Sequence, residues 1–359
     1  MSKQISPQQT IKGRGSLSNK SGRFESLSYE SQPDAWASNS DFLASPNVAT
    51  TLYNDNSRSV ITYNDSPDIP FDRSINPYRG CEHGCIYCYA RPSHAWLGLS
   101  PGIDFESKIF AKSSAAALLT KELSSKNYKV QPIALGSNTD PYQPVERTQQ
   151  ITRQILSVLL RFRHPVTIVT KSPLILRDID LLKALATQNL VKVFISLGTL
   201  NAQLARMLEP RAPQPRKRLQ AILNLVEQKI PTGVLVAPII PGLNDYELEE
   251  IIQRVAGTGI TNIRYNLLRL PYELGELFEE WLQKHYPNRK NKILSLIRQS
   301  RDGKLNDSAY SQRMIGQGNY AHLIQQRFRL ICQRLGVNKT FFKLRTDLFE
   351  QPQQQLSLL

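Results

Sequence analysis

Asn76-Pro-Tyr-Arg-Gly80-Cys81-Glu-His-Gly84-Cys85-Ile-Tyr-Cys88-Tyr89 carries three of the chain's four cysteines, spaced by three and then two residues. A cubane 4Fe-4S cluster ordinarily takes four thiolates. Three thiols on one loop, with Gly80 and Gly84 letting the backbone wrap closely, predict a cluster with one iron open to an outside ligand. Cys81, Cys85 and Cys88 are therefore the expected metal ligands. A zinc site is the alternative, with His83 or His94 as fourth ligand. A disulfide framework fits poorly, because the chain has no apolar leader and no run of 18 apolar residues. Those absences predict a cytoplasmic protein with no membrane partner. The fourth cysteine, Cys332, lies in the amphipathic pattern Phe328-Arg-Leu-Ile-Cys-Gln-Arg-Leu335 and reads as a buried thiol of a helix core.

Outward from that loop the grammar is regular. Val130–Leu135, Val166–Thr170, Val191–Ser196, Gly233–Ala237 and Asn262–Leu267 are short β-branched runs separated by amphipathic helical patterns. Such alternation predicts buried parallel strands with helical crossovers. At roughly 30 residues per unit, the stretch accommodates about six βα units, a partial (β/α)6 TIM-like barrel of α/β class. The predicted organisation is an extension over 1–57, mostly unstructured, a barrel over 58–272, a basic helical extension over 273–347 and a flexible tail over 348–359. Gly13-Arg-Gly15 and Arg23-Phe24 offer a different possibility, a strap across the barrel.

In parallel α/β folds the chemistry gathers at the carboxyl ends of strands, and polar, unusual segments follow each run here. After Val130–Leu135 comes Gly136-Ser-Asn-Thr-Asp-Pro-Tyr-Gln-Pro-Val-Glu146, after Val166–Thr170 the turn Thr170-Lys171-Ser172, and after Val191–Ser196 the segment Ser196-Leu-Gly-Thr199. Lys171 is placed to reach an anion. Asp140 otherwise caps a turn, and Glu146 begins a helix as a dipole-compensating acid. Further on stand Glu209-Pro-Arg211-Ala-Pro213, where Arg211 either grips a carboxylate or pairs with Glu209, and Ala237-Pro-Ile-Ile-Pro-Gly242-Leu-Asn-Asp245, whose Asn244 or Asp245 caps the next helix.

The cysteine loop resembles that of the radical S-adenosylmethionine (radical SAM) superfamily. The resemblance implies that the open iron chelates the amino and carboxylate groups of S-adenosylmethionine, which an electron splits into methionine and a 5'-deoxyadenosyl radical. It implies that Tyr87 lies against the adenine, that Ile240 belongs to the adenine-contacting segment, and that Ser196 binds the ribose or carboxylate. Arg211 is the carboxylate candidate. The superfamily's Gly-Gly-Glu motif is absent, leaving Asn138, Thr139 and Asp140 as substitutes, Asp140 foremost because a carboxylate pairs with an ammonium. Thr139–Glu146, Glu209–Pro213, Pro238–Asn244, Leu268-Arg-Leu-Pro271 and Arg313-Met-Ile-Gly-Gln-Gly-Asn-Tyr320 together resemble a bacterial family related to the spore photoproduct lyases, described as DNA-repair-photolyase-like. Those lyases use a cysteine and tyrosine relay to return a hydrogen atom. Outside the triad only Cys332 is available, so Tyr142, Tyr265 and Tyr272 are the relay candidates, and a different substrate is the favoured explanation. An electron donor of flavodoxin or ferredoxin type is the implied partner.

Charge adds a second expectation. The chain is formally +15. Between 284 and 345 stand 14 Lys and Arg against Asp302 and Asp307. If Lys290, Lys292, Arg298, Arg301, Lys304 and Arg313 share a face, they form a phosphate-binding surface for nucleic acid; otherwise they are a solvated helix surface. Three functions stay open: a radical enzyme on nucleic acid or another anionic macromolecule, a radical enzyme on a peptide or small metabolite, and a non-catalytic iron-sulfur or zinc protein.

Overall fold

Two-residue periodicity marks two neighbouring strands of the central sheet. In Val166–Thr170, Val166, Ile168 and Thr170 are buried and Thr167 and Val169 half-buried, and residues 191–195 repeat the alternation, as expected where one face lies under helices and the other lines a concave surface. The computed structural model describes residues 11–25, 48–339 and 342–351. Its strands are β1 (Thr51–Asn54), β2 (Ile61–Tyr63), β3 (Arg73–Ile75), β4 (Tyr78–Arg79), β5 (Lys108–Ala111), β6 (Ile133–Leu135), β7 (Val166–Thr170), β8 (Val191–Ser196), β9 (Thr232–Ile239) and β10 (Asn262–Leu267). A seven-stranded sheet runs β10-β9-β8-β7-β6-β3-β2. All its neighbours from β3 to β10 are parallel, and β2 closes one edge antiparallel to β3. Six parallel strands in sequential order form the predicted partial barrel. A smaller sheet, β1-β5-β4, stands beside it, and the cysteine loop leaves from the end of β4.

Helices Ile151–Arg161, Ile179–Ala186, Pro215–Glu227 and Leu248–Ala256 cover the outer face. They bury one stripe each, for example Ile151, Ile155, Leu156 and Leu159, against Val166, Ile168, Val193 and Val234 of the strands. Each such side chain contributes about 1.5–3 kcal/mol. The open edge at β10 is managed locally: Asn338 accepts from the Ile263 amide (2.8 Å) and donates to its carbonyl (2.9 Å), mimicking a further strand. Helix Asn319–Leu335 packs outside it, with Phe328 on Tyr265 at 4.6 Å. No helix among the described residues is long and apolar enough to cross a membrane.

Both chain ends correct the sequence reading. Residues 1–10 and 26–47 lie outside the described residues, but 11–25 pack as a strap and 51–54 form β1, so the extension over 1–57 is in part folded. The Gly15 and Ser16 amides and the Arg14, Ser18, Asn19, Lys20 and Arg23 side chains make the strap's contacts, so the strap that Gly13-Arg-Gly15 and Arg23-Phe24 offered is the arrangement found. In the tail, Phe349 packs against Tyr128 (5.6 Å) and His164 (5.5 Å), and Gln351 donates to the Leu123 and Ser125 carbonyls. Residues 352–359 lie outside the described residues.

Candidate active site

The cysteine loop is folded by Gly80 and Gly84, both left-handed at φ +78° and +65°. A Cβ at Gly84 would stand 2.6 Å from a carboxylate oxygen of Glu106, so the position needs glycine for space as well as conformation. All four cysteines are free, with Cys81 and Cys85 buried and Cys88 half-buried. Burial pushes the Cys81 and Cys85 thiols far above their ordinary range, although Lys171 acts against this at Cys85. Buried thiols of this kind become ligands when metal charge compensates the thiolates. Cys332 is packed in the main core, its thiol raised to about 11 by burial, and supplies no fourth ligand.

For zinc, His94 is committed elsewhere and His83 faces Asp140. His94 is buried with Nε2 3.0 Å from the Lys108 carbonyl, and burial lowers its pKa to about 4. Nδ1 of His83 lies 3.3 Å from Asp140, close enough for an ion pair but misaligned for a hydrogen bond. Among the described residues no three His, Cys, Asp or Glu side chains converge on one ion. A cubane instead spreads its thiolates over separate irons, and three free thiols on one loop with no fourth cysteine fit such a cluster with one iron left open.

Buried groups that the sequence did not reveal grip this loop. Glu106, wholly buried, takes the Arg91 guanidinium and the amides of Gly15 (2.9 Å) and Ser16 (2.8 Å). Arg91 also donates to the Cys85 and Gly84 carbonyls at 2.9 and 3.2 Å. Gly15 lies so close that a Cβ there would meet the Gly84 carbonyl oxygen at 1.9 Å. The strap thus crosses directly over the loop. From the other side Gln143 joins the loop to the segment after β6, accepting from the Glu82 amide (2.9 Å) and donating to the Gly80 carbonyl (3.1 Å).

Asp140 is a joint between loops. Its oxygens accept from the Tyr142 amide (2.9 Å), the Thr170 hydroxyl (2.6 Å) and the Lys171 amide (2.8 Å), with His83 alongside. Burial alone would raise its pKa, but His83 and these donors outweigh burial and hold the carboxyl well below the usual range. With its acceptor positions taken, Asp140 is corrected from an ammonium ligand to a structural group. Thr139 is also committed, donating to the Tyr78 carbonyl at 2.7 Å. Asn138 is exposed, with its amide on Asn76 at 2.8 Å.

Tyr87, buried beside Cys85 and Ile240 in one apolar cluster, donates its hydroxyl to Glu209. Glu209 in turn pairs with buried Arg218, which also donates to the Ser196 carbonyl at 3.1 Å. The expected Arg211–Glu209 pair is therefore replaced: Arg218 reaches Glu209 from the next helix, while Arg211 turns to Glu82 at 3.0 Å. The Lys171 ammonium stands 5.9 Å from the Tyr87 ring centre and has no carboxylate partner among the described residues. The Ser196 hydroxyl donates to Ala237 at 3.2 Å. Asn244 stands at the N-cap of the short helix Asp245–Glu247 but makes no side-chain capping bond; its side chain ties the Ile240 amide (2.6 Å) to the Gly198 carbonyl (2.7 Å). Glu146 does begin a helix, but it also accepts from Tyr78, the Thr152 amide and Arg177.

Two relay candidates are corrected. Tyr142 and Tyr265 belong to the main core under the outer helices, apart from the cluster containing Cys85 and Tyr87. The Tyr142 hydroxyl donates to Asp178 at 3.1 Å, and the Tyr265 hydroxyl is enclosed without a partner. Tyr272, by contrast, is exposed. The basic segment is also partly spent. Arg301 is fully buried on the Leu267, Leu268, Gln312 and Arg313 carbonyls, Lys290 pairs with Glu279, and Arg313 with Asp68. Of the six basic residues named, Lys292, Arg298 and Lys304 stay exposed and without ion pairs among the described residues.

A family model described as the Radical SAM superfamily matches residues 75–255. The uncharacterized protein Rv2578c of Mycobacterium tuberculosis is 34% identical over 232 residues, covering 64% of this chain and 68% of the relative. The radical SAM Nalpha-GlyT isomerase of Pseudomonas phage M6 is 24% identical over 231 residues, 63% of this chain and 46% of that protein. Among solved structures, spore photoproduct lyase complexed with dinucleoside spore photoproduct superposes with a TM-score of 0.57 at 16% identity, covering 79% of each chain. That likeness shows a shared fold.

Proposed function

The chain belongs to the radical SAM superfamily and is a radical SAM enzyme, and from this we propose that it cleaves S-adenosylmethionine at a 4Fe-4S cluster on Cys81, Cys85 and Cys88 and takes a hydrogen atom from a nucleic acid. The observation that carries the reading is the triad of free thiols on one buried loop with no fourth cysteine beside it. When bound and reduced, the cluster supplies the electron that splits the cofactor into methionine and a 5'-deoxyadenosyl radical.

The chain's own residues divide the binding work. Tyr87 and Ile240 offer the apolar wall for adenine. Lys171 takes the carboxylate in place of Arg211, because Arg211 is already paired with Glu82. Asn138 takes the ammonium in place of Asp140, and Ser196 accepts from the ribose. Glu209 and Arg218 hold Tyr87 in position from behind. The reductant is a flavodoxin or ferredoxin type of donor. Net charge of +15 supports an anionic substrate, as does the company of a fold that in spore photoproduct lyase takes a dinucleoside photoproduct.

Anaerobic reconstitution with iron and sulfide, dithionite reduction and chromatography for 5'-deoxyadenosine test the proposal. Product forms in the wild type, disappears in Cys85→Ala, and increases when DNA is added. Cleavage retained in a triad variant contradicts the assignment of the ligands; cleavage indifferent to DNA and RNA contradicts the substrate class.

A further inference from the structure

Large exposed aromatic side chains on a folded protein are normally scattered singly. Here several converge, contributed by separate segments of the chain. Trp96, on the short helix Arg91–Leu97 just beyond the cysteine loop, is 72% exposed, and so is Tyr272, a few residues past the end of β10. The strap places Phe24 against Trp96 at 4.5 Å and lays the Arg23 guanidinium over the Tyr272 ring at 4.3 Å. Three residues before Tyr272 in the chain, Arg269 stands 5.0 Å over the ring of Tyr89, itself adjacent to Cys88 in sequence and 45% exposed. Arg23 is anchored by Glu273 at 3.2 Å, whereas Arg269 has no ion pair among the described residues.

We infer that Phe24, Tyr89, Trp96 and Tyr272, with Arg23 and Arg269 between them, form a track on which an unpaired nucleic-acid strand stacks its bases beside the carboxyl ends of the barrel strands. The inference deepens the nucleic-acid reading above and rests on it. Flat rings with guanidinium groups between them are what sequence-tolerant single-strand binding uses, because every base has a π-face and every linkage a phosphate. A duplex keeps its bases stacked internally and offers the rings nothing. An acidic peptide would use the charge but not four exposed rings. Access to a base is also required by chemistry within a barrel, since a paired base is out of reach.

The test uses the full-length, cluster-loaded protein with a fluorescein-labelled oligothymidylate of about 15 nucleotides, its duplex with oligoadenylate, and polyglutamate. Fluorescence anisotropy is expected to show the single strand bound at low salt about ten-fold more tightly than the duplex, with Trp96→Ala and Tyr272→Ala each weakening it on the order of ten-fold. Tryptophan emission is expected to be quenched by the strand, and the quench reduced in Trp96→Phe. Both substituted side chains are solvent-exposed, and an unchanged melting temperature confirms folding. Absence of strand binding, binding indifferent to both alanine variants, or preference for duplex or polyglutamate overturns the inference. The titration needs neither S-adenosylmethionine nor reductant, so its result is independent of the cleavage assay.

Discussion

Gly15→Ala is expected to unseat the strap from the cysteine loop without unfolding the barrel. The added Cβ would stand 1.9 Å from the Gly84 carbonyl oxygen, against a 3.0 Å floor for real contacts, so the strap must lift by about 1 Å. The Gly15 and Ser16 amides then leave Glu106, which they now reach at 2.9 and 2.8 Å. Hydrogen bonds to a charged group contribute roughly 1.5–3 kcal/mol each. Allowing for relaxation and for the surviving bond from Arg14 to the Glu106 carbonyl, a loss of about 3 kcal/mol in strap docking is expected, which is on the order of 100-fold in the open population. Tryptic cleavage after Arg14 reads that population when opening is fast relative to cutting. Its rate should rise about 100-fold, with cutting after the distant Lys121 unchanged. A rate within about two-fold of wild type would refute the argument, and so would an equal rise at Lys121, which would mean global destabilisation.

Arg301→Met removes the donor from four buried carbonyls and is expected to cost about 3 kcal/mol or more in urea unfolding; Lys292→Ala, on the exposed face, should change stability by less than about 0.5 kcal/mol. His164 accepts from Tyr128 at 2.8 Å, and burial lowers its pKa to about 4. The unfolded chain therefore takes up this proton first as pH falls, so the stabilisation is intact above about pH 6.5 and lost towards pH 4, amounting to about 2 kcal/mol by pH 5; unfolding curves of wild type and His164→Gln at pH 7 and 5 should differ by that slope. Cys332→Ala, which leaves a small gap in the core, should cost about 1 kcal/mol and leave 5'-deoxyadenosine formation unchanged.

The strands were legible because their side chains report burial locally. Val166–Thr170, Val191–Ser196 and Asn262–Leu267 match the structure to the residue, and Val130–Leu135 is shortened to Ile133–Leu135 because Pro132 has no amide to give the ladder. The cysteine loop was legible for the same reason, since all three thiols lie within eight residues of sequence. What stayed hidden depends on partners far apart in the chain. Glu106 meets the strap across some 90 residues, and nothing near it marks it as buried. Arg218 displaced Arg211 as the partner of Glu209 because a helix turn carried it inward. The charge count over 284–345 could not show that Arg301 points into the protein and Arg313 onto Asp68. Position along a strand does not tell which face a tyrosine takes: alternation turns Tyr265, within Asn262–Leu267, outward against Phe328.

The central claim is that three thiols hold a cluster with one iron open to S-adenosylmethionine. Electron paramagnetic resonance of the reconstituted, dithionite-reduced protein tests it directly: a 4Fe-4S signal whose g values shift on adding S-adenosylmethionine is the predicted result, and a spectrum unchanged by the cofactor, or a protein that retains zinc and no iron, would contradict it.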